Sequence, residues 1–313
     1  MSRERGFALL AVLLALALLA VVVVELAFSA RLEASMVRAY RDAVLARHLA
    51  EAAVHQATRE IMSPSQVAAL DEAGQVVFYR ALPGQTTPTR LPTLPRGRVA
   101  LGPGEFSYRI TDESARLAIN TVAADRLDRL LAALELDRTQ RDVISDSLQD
   151  WRDANELHRL HGAESDVYAQ GPVPYRARNA NLQDESELLQ IRGVTRELYG
   201  GAGDRPGLAE LVSAAGLGAV NINTSSPLVL KAVGLSDAEI ADVIRTRGRA
   251  PYPSVPGRFA GRGLAVGSST YRIEAVGLIA GVARHRVVAV VQRGRRNAPL
   301  EATILSWRRG SVE

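Results

Sequence analysis

The feature that most limits how this chain can fold is an uncharged, mostly aliphatic run at residues 7–24, which ends at Glu25. As an α-helix rising about 1.5 Å per residue, residues 7–30 would be about 36 Å long, enough to cross the hydrocarbon core of a bilayer. The alternative is a cleaved secretory signal, with Ala27, Ser29 and Ala30 near its cleavage site. The apolar part of such a signal usually has only about 7–15 residues. The sequence therefore predicts one membrane span at residues 7–30.

The helical pattern continues beyond the predicted span. Apolar residues recur every four positions, in what we call the apolar stripe: Leu32, Met36, Tyr40 and Val44. The same pattern continues through Leu45, Leu49, Ala52, Ala53 and Ala57, and Pro64 ends it. We predict one helix from Phe7 to Met62, roughly 84 Å long, whose second half must pack against something. A plain membrane anchor followed by a separate helix is the alternative.

The N-terminal residues resemble those of a known family. The leader Arg3-Glu4-Arg5-Gly6, followed by Phe7 and the apolar helix, resembles the class III signal of type IV pilins and type II secretion pseudopilins. The resemblance implies that a prepilin peptidase cuts after Gly6, removing residues 1–6, and that Phe7 is N-methylated. Most members carry a glutamate five residues into the mature chain, where this sequence has Ala11. That departure agrees with the K-type minor pseudopilins.

This resemblance implies a location, partners and a role. The protein would be a single-pass protein of the bacterial inner membrane, with most of the chain in the periplasm. Its partners would be the I-type and J-type minor pseudopilins and the other pseudopilus subunits. Its role would be to cap or initiate the type II secretion pseudopilus and so support protein export across the outer membrane.

Strand-like alternation occurs on both sides of a long helical region. Strands are predicted at residues 76–79, 105–110, 271–276, 287–291 and 303–307, with turns at 277–286 and 294–299 and a loop at 83–97. We therefore predict an α+β fold with a pilin-like long N-terminal helix, a small antiparallel sheet and a large all-α domain inserted between the strands. The expected units beyond the span are residues 31–112, 113–265 (the insertion) and 266–313.

The predicted insertion contains a weak internal repeat. Residues 117–121 (LAINT) match residues 220–224 (VNINT), and each copy leads into a predicted helix, at 124–134 and 227–233. The two Asn-Thr pairs are expected to cap these helices, and Asp137 and Ser236 to cap the helices that follow. K-type pseudopilins carry a helical insertion of this appearance. The fragments that resemble theirs are Asp112-Glu113-Ser114, Asn120-Thr121, Asp150-Trp151-Arg152-Asp153, Gly162-Ala163-Glu164, Asn179-Ala180, Glu187-Leu188-Leu189 and Asn221-Ile222-Asn223-Thr224.

A helix-hairpin-helix module that binds DNA is the second reading of this repeat. Such hairpins usually contain Gly-x-Gly, whereas residues 193–195 (GVT) and 234–236 (GLS) lack the second glycine. Residues 112–244 have 13 basic and 22 acidic side chains, so this region would repel phosphate. The sequence disfavours nucleic acid as a partner. A membrane-anchored periplasmic DNA-binding protein remains the alternative function.

Oxygen-bearing side chains are concentrated at residues 150–168, around Gly162. Hard oxygen donors in a loop suit Ca²⁺, which takes about 6–8 oxygen ligands. The family resemblance implies a calcium site in this domain, with Asp153, Asn155, Glu164 and Asp166 as ligands in this chain. The alternative is a solvated acidic loop that holds no ion.

The sequence offers little evidence for catalysis. His158 and His161 are three residues apart, but the HExxH pattern of zinc proteases is absent. The chain has no cysteine, no Gly-x-Ser-x-Gly, no P-loop and no Rossmann fingerprint. We expect a structural protein rather than an enzyme, and a secreted metal hydrolase would need activity that depends on these histidines.

Overall fold

A computed structural model describes residues 2–82, 87–294 and 301–310. One helix, α1 (Ser2–Ile61), contains the apolar run and the apolar stripe without a break. Its 60 residues make it about 90 Å long. The prediction of one continuous helix is confirmed, and the separate-helix alternative is wrong.

The end of α1 is fixed by a distant side chain. Pro64 follows the helix by three residues and prevents it from continuing. The guanidinium of Arg293 donates hydrogen bonds to the carbonyl oxygens of Ile61, Ser63 and Ser65, at 3.4, 3.2 and 2.6 Å. These bonds satisfy carbonyl groups that a helix end leaves without a partner, and they tie α1 to the sheet.

Within the described ranges, twelve strands make two antiparallel sheets and two short parallel pairs. The strands are β1 (Val67–Leu70), β2 (Val76–Arg80), β3 (Thr89–Arg90), β4 (Val99–Leu101), β5 (Gly104–Asp112), β6 (Leu117–Ala118), β7 (Val212–Ser213), β8 (Val220–Asn221), β9 (Leu264–Ala265), β10 (Thr270–Ile279), β11 (Val282–Arg293) and β12 (Ala302–Gly310). The main sheet has the order β12-β11-β10-β5-β4, and a smaller sheet has the order β1-β2-β3. The pairs are β6 with β7 and β8 with β9.

The second half of α1 packs closely on the main sheet because two glycines leave room for it. A Cβ atom added to Gly277 in β10 would lie 1.9 Å from the carbonyl oxygen of Ala46. One added to Gly104 in β5 would lie 2.5 Å from Leu49 Cδ1. Here α1 buries its small and aliphatic residues in the first hydrophobic core: Leu49, Ala50, Ala53, Val54, Ala57 and Ile61.

The chain leaves the main sheet at Asp112 and returns to it at Thr270. Strands β5 and β10 are nevertheless neighbours, with Ile110 opposite Ile273. The chain between them builds a second hydrophobic core of its own around Trp151, Leu130 and Leu230. Its helices are α2 (Ala124–Ala133), α3 (Arg138–Arg152), α4 (Ser165–Tyr168), α5 (Arg196–Gly200), α6 (Leu208–Leu211), α7 (Pro227–Ala232) and α8 (Asp237–Arg247).

The mixed α+β class is confirmed, but the intervening region is not purely helical. It contains the two parallel strand pairs, which are two residues long and therefore too short for an alternating pattern to reveal. Sequence analysis also missed β1, β3 and β4, of which β3 and β4 have only two and three residues.

The internal repeat is present in the structure. In each copy a short strand leads into two consecutive helices, α2 and α3 in the first copy and α7 and α8 in the second. Asp137 and Ser236 begin the second helices with capping boxes, as predicted. The link between the helices has a positive φ in both copies, +65° at Glu135 and +89° at Gly234.

The predicted capping role of the two Asn-Thr pairs is wrong. Helix α2 begins after Ala123, and α7 is capped by Ser226. Asn120 instead accepts a hydrogen bond from the amide of Leu182 and donates to the Leu182 and Ala214 carbonyls. Asn223 bonds to the backbone of Tyr252 and to the Val266 carbonyl in the same way. Both asparagines therefore join segments that are distant in sequence.

The predicted turn at 277–286 is also wrong, because β10 and β11 continue into it. The turn contains only Ala280 and Gly281, both with positive φ, as a tight two-residue hairpin requires. Gly277, the first residue of the predicted turn, lies within β10 under α1. Most of the predicted turn at 294–299 lies outside the described residues.

Candidate functional site

The apolar stripe is not covered by any of the described residues. Leu32, Met36, Tyr40 and Val44 are between 36% and 75% exposed, whereas the burial of α1 in the first core begins at Ala46. The predicted amphipathic half of α1 therefore has two parts, and only the part nearer the sheet is packed. Exposed apolar side chains at helical spacing are typical of a surface that packs against another helix.

The first half of α1 has no packing partner in the described residues either. Among the described residues, α1 is the one helix that is long and apolar enough to cross a membrane. An 18-residue stretch of it has a mean hydropathy of 2.8 and is entirely exposed. Its exposed large side chains include Phe7, Leu13 and Phe28. One apolar N-terminal helix of this length is consistent with a single-pass anchor.

A group of buried polar side chains joins the main sheet to the intervening region. We call it the junction cluster: Asp112, Glu113, Glu185, Asn221, Thr224 and Arg272. Asp112, at the end of β5, accepts hydrogen bonds from Asn221 Nδ2 and Thr224 Oγ1, both at 2.7 Å. Asn221 Nδ2 also donates to the Ala68 carbonyl at 2.9 Å. Burial raises the pKa of the Asp112 carboxyl, and these hydrogen bonds act in the opposite direction.

Arg272 of β10 pairs with two buried glutamates of the junction cluster. Its Nε donates to Glu113 at 2.6 Å and its Nη2 to Glu185 at 2.8 Å. Ser213 also donates to Glu113. Although burial alone would raise the pKa of Glu113, the positive charges of Arg272 and Arg116 hold it below its usual value. Two fragments of the family resemblance, at 112–114 and 221–224, thus meet at one junction. Sequence analysis recorded Arg272 only as part of a strand.

Three carboxylates meet where α3 ends and α4 begins. We call Asp150, Asp153 and Glu164 the acidic cluster, and one oxygen from each lies within 4.8 Å of the others. Asp150 and Asp153 are three residues apart and therefore share a face at the end of α3. Glu164 precedes α4 and is only 1% exposed.

Two of the four predicted calcium ligands, Asp153 and Glu164, belong to this cluster. Asn155 lies beside it, donating from Nδ2 to Asp153 Oδ1 at 2.7 Å. Asp166 instead pairs with His158, at 2.8 Å. Asp150 is the third member of the cluster and is not among the predicted ligands. Its three-residue spacing from Asp153 on one helix was the signal that could have identified it.

The carboxylate of Glu164 is buried without compensation. Neither of its oxygens has a hydrogen-bond partner among the described residues. Burial raises the pKa of its carboxyl from 4.5 to about 7, and the charges of Asp150 and Asp153 act in the same direction. Buried charges are normally paired or coordinate a metal, so this site has the donors and the unmet charge that suit a divalent cation.

The two histidines do not form a metal centre with each other. His158 pairs with Asp166, and His161 Nδ1 lies 3.4 Å from Asp146. The acidic cluster, the one group with metal-ligand spacing in the described residues, contains neither. This arrangement gives no support to a hydrolytic zinc site.

The hairpin between α7 and α8 does not present free amides to a phosphate. The Ser236 amide donates to the Glu239 carboxylate at 2.7 Å, and Asp237 lies beside it. The two carboxylates at this hairpin would repel a DNA phosphate.

Comparison with known proteins shows which family this chain is similar to. A family model described as type II secretion system (T2SS), protein K matches residues 108–201. The type II secretion system protein K of Pectobacterium carotovorum is 29% identical over 215 residues, which cover 63% of this chain and 61% of the relative. This chain is similar to the type II secretion system protein K family. The protein K of Aeromonas hydrophila is 31% identical over 191 residues, covering 54% of this chain and 55% of the relative.

These protein K relatives are matched over about three fifths of their length. A solved structure gives wider coverage of the fold. A chain from the crystal structure of the GspK-GspI-GspJ complex of the enterotoxigenic Escherichia coli type 2 secretion system superposes with a TM-score of 0.59 at 18% identity. The match covers 89% of this chain and 99% of that chain. At this identity the likeness shows a shared fold.

Proposed function

We propose that this protein is a structural, non-enzymatic minor pseudopilin that caps or initiates the type II secretion pseudopilus and so supports protein export across the outer membrane. The observation that carries the proposal is the uncovered apolar stripe, which continues directly from an apolar membrane-length helix. Its partners would be the I-type and J-type minor pseudopilins. The solved neighbour with the same fold was crystallised as a GspK-GspI-GspJ complex, which supports this choice.

The junction cluster supports a role at the end of a filament. The region between Asp112 and Thr270 is held to the sheet by buried charged and neutral hydrogen bonds, so it would move with α1 as one unit. A bulky, firmly attached domain is easier to accommodate at a filament tip than along its shaft. The protein would be anchored in the inner membrane by residues 7–30, with the remaining chain in the periplasm.

Maturation is part of the proposal. A prepilin peptidase would cut after Gly6 and leave an N-methylated Phe7 at the start of the chain. Mass spectrometry of the N-terminal peptide of membrane-purified protein tests this step. A mature chain that begins near Arg31 would contradict both the processing and the anchor.

The assembly surface is tested by a matched pair of substitutions on α1. We expect Met36→Glu to weaken the complex with the I-type and J-type partners by about 10- to 100-fold, because burying a methionine contributes about 1.5–3 kcal/mol. Ala34→Glu introduces the same charge on another face of the helix and is the control. Equal loss of affinity in both variants, measured on the co-purified complex, would contradict the role of the stripe.

A divalent cation, Ca²⁺ by ligand chemistry, is the second element of the proposal. Asp150, Asp153 and Glu164 would hold it through carboxylate oxygens. The uncompensated Glu164 carboxylate is the observation that favours a bound cation. Ca²⁺ should raise the melting temperature of chelator-treated protein, and Glu164→Gln should remove that response. An unchanged melting temperature in the original protein would contradict the site.

A further inference from the structure

The acidic cluster already contains a positive charge supplied by the chain itself. Arg159 Nη1 donates to Asp150 Oδ1 and to Asp153 Oδ2, both at 2.6 Å. The backbone amide of Arg159 also donates to the Asp150 carboxylate, at 3.2 Å from Oδ2. This guanidinium therefore bridges two of the three carboxylates that would bind a cation.

The pairing by Arg159 is incomplete. Its single charge faces three carboxylates, and Glu164 has no hydrogen-bond partner among the described residues. Arg159 is itself 37% exposed and lies in the loop between α3 and α4, so its side chain can leave the cluster without disrupting either core. The backbone of this loop is close to the cluster, since a Cβ atom on Gly162 would lie 1.8 Å from Asp150 Oδ2.

We propose that Arg159 is a built-in competitor for the divalent cation, holding Asp150 and Asp153 together when the ion is absent and moving away when it binds. This inference rests on the cation site of the proposed function. The Arg159 guanidinium and Ca²⁺ compete because Nη1 lies between the Asp150 and Asp153 carboxylates that a cation would bridge, and because two positive charges so close together repel each other. Cation binding must therefore break the two charge-assisted hydrogen bonds of Arg159.

Displacement would also loosen the loop that carries Arg159. Leu157 and Leu160, on either side of it, are 77% and 89% exposed, so they add little packing to the polar contacts of Arg159, His158 and His161 that hold this loop. Arg159 would thus lower the affinity for the cation and keep the cluster folded in its absence. Both effects follow from the same pair of hydrogen bonds.

The test measures Ca²⁺ binding to full-length, chelator-treated protein in detergent by isothermal titration calorimetry. We expect Arg159→Gln to lower the Kd for Ca²⁺ by about tenfold, because hydrogen bonds to charged groups no longer have to be broken. Arg176→Gln, which neutralises an exposed arginine outside the cluster, should leave the Kd unchanged. In chelator, Arg159→Gln should also melt at a lower temperature than the original protein.

The outcomes separate this inference from the cation site itself. One outcome is that Glu164→Gln removes saturable Ca²⁺ binding while Arg159→Gln binds Ca²⁺ with the original Kd. That outcome would overturn the competitor role alone. No saturable binding in any variant would overturn the cation site and the competitor together. Where Arg159→Gln fails to fold in chelator, Arg159→Lys gives the second measurement. A lysine forms fewer hydrogen bonds in this position, so the Kd of the Arg159→Lys variant for Ca²⁺ should fall below that of the original protein. An unchanged Kd would contradict the proposal.

Discussion

Two groups of buried carboxylates in this protein differ in how completely they are paired. In the junction cluster, Glu113 and Glu185 share Arg272, and Asp112 accepts from Asn221 and Thr224. In the acidic cluster, Arg159 pairs with two carboxylates, and Glu164 has no hydrogen-bond partner in the part of the chain that the structure describes. The fully paired group is suited to holding two parts of the fold together, and the partly paired one to binding an ion.

The largest effect is expected from removing the counter-ion of the junction cluster. Arg272→Met should lower the free energy of unfolding by about 3–5 kcal/mol, because it removes the cation that pairs with Glu185 and leaves Glu113 with the more distant Arg116. Urea denaturation of the full chain in detergent measures this, and Ca²⁺ should not restore the loss. Adding Glu113→Gln and Glu185→Gln should recover part of it. A loss below about 1 kcal/mol would mean that the junction is not held by this pairing.

The acidic cluster should give the opposite pH dependence from an ordinary paired carboxylate. Because the pKa of Glu164 is raised from 4.5 to about 7, its contribution to stability is present below pH 4.5 and lost as pH rises through 7. In chelator, the free energy of unfolding should fall by up to about 3 kcal/mol over this range, at about 1.4 kcal/mol per pKa unit. Glu164→Gln should remove this component, and a profile identical to that of the original protein would contradict the assignment.

The same chemical change should have opposite signs in the two groups. Asp112→Asn replaces an acceptor of several hydrogen bonds and should destabilise the protein by about 1–2 kcal/mol. Glu164→Gln, measured in chelator at pH 8, should stabilise it, because an unpaired buried charge is removed. The melting temperatures of the two variants, measured side by side, test whether the two stability changes have opposite signs. Destabilisation by both substitutions would contradict the proposed difference between the two clusters.

The smallest effect concerns the two repeat copies, the second of which contains part of the junction cluster. Glu135 has the positive φ that Gly234 has in the other copy, a backbone conformation that costs a non-glycine residue energy. Glu135→Gly should raise the free energy of unfolding by roughly 0.5–1 kcal/mol. A decrease of this size would mean that the glutamate side chain itself stabilises the first copy.

Sequence patterns predicted the helices and strands in which a periodic pattern extends over many residues. The continuous helix through Tyr40 and the alternating residues of β5, β10 and β11 were found in this way. The end of β10 was not, because Gly277 indicates a turn in the sequence but serves close packing against Ala46 in the fold. Such a contact joins residues more than two hundred positions apart, so no local pattern contains it.

The sequence predicted where the candidate cation site lies but not all of the residues that form it. The density of acidic residues at 150–168 identified the region, and Asp153 and Glu164 are in the cluster. The path of the loop after Asp153 decides which side chains return to α3, and it brings Arg159 to Asp150 and Asp166 to His158. Composition contains no information about that path.

The central claim, assembly through the apolar stripe, can be tested directly because the chain has no cysteine. A single cysteine at position 36 or 34 gives a unique attachment point on α1 for disulfide crosslinking in cells that also produce the I-type and J-type partners, each with one cysteine on its own N-terminal helix. The account predicts a crosslink to a partner from Met36→Cys and much less from Ala34→Cys. Equal crosslinking from both positions, or none from position 36, would contradict it.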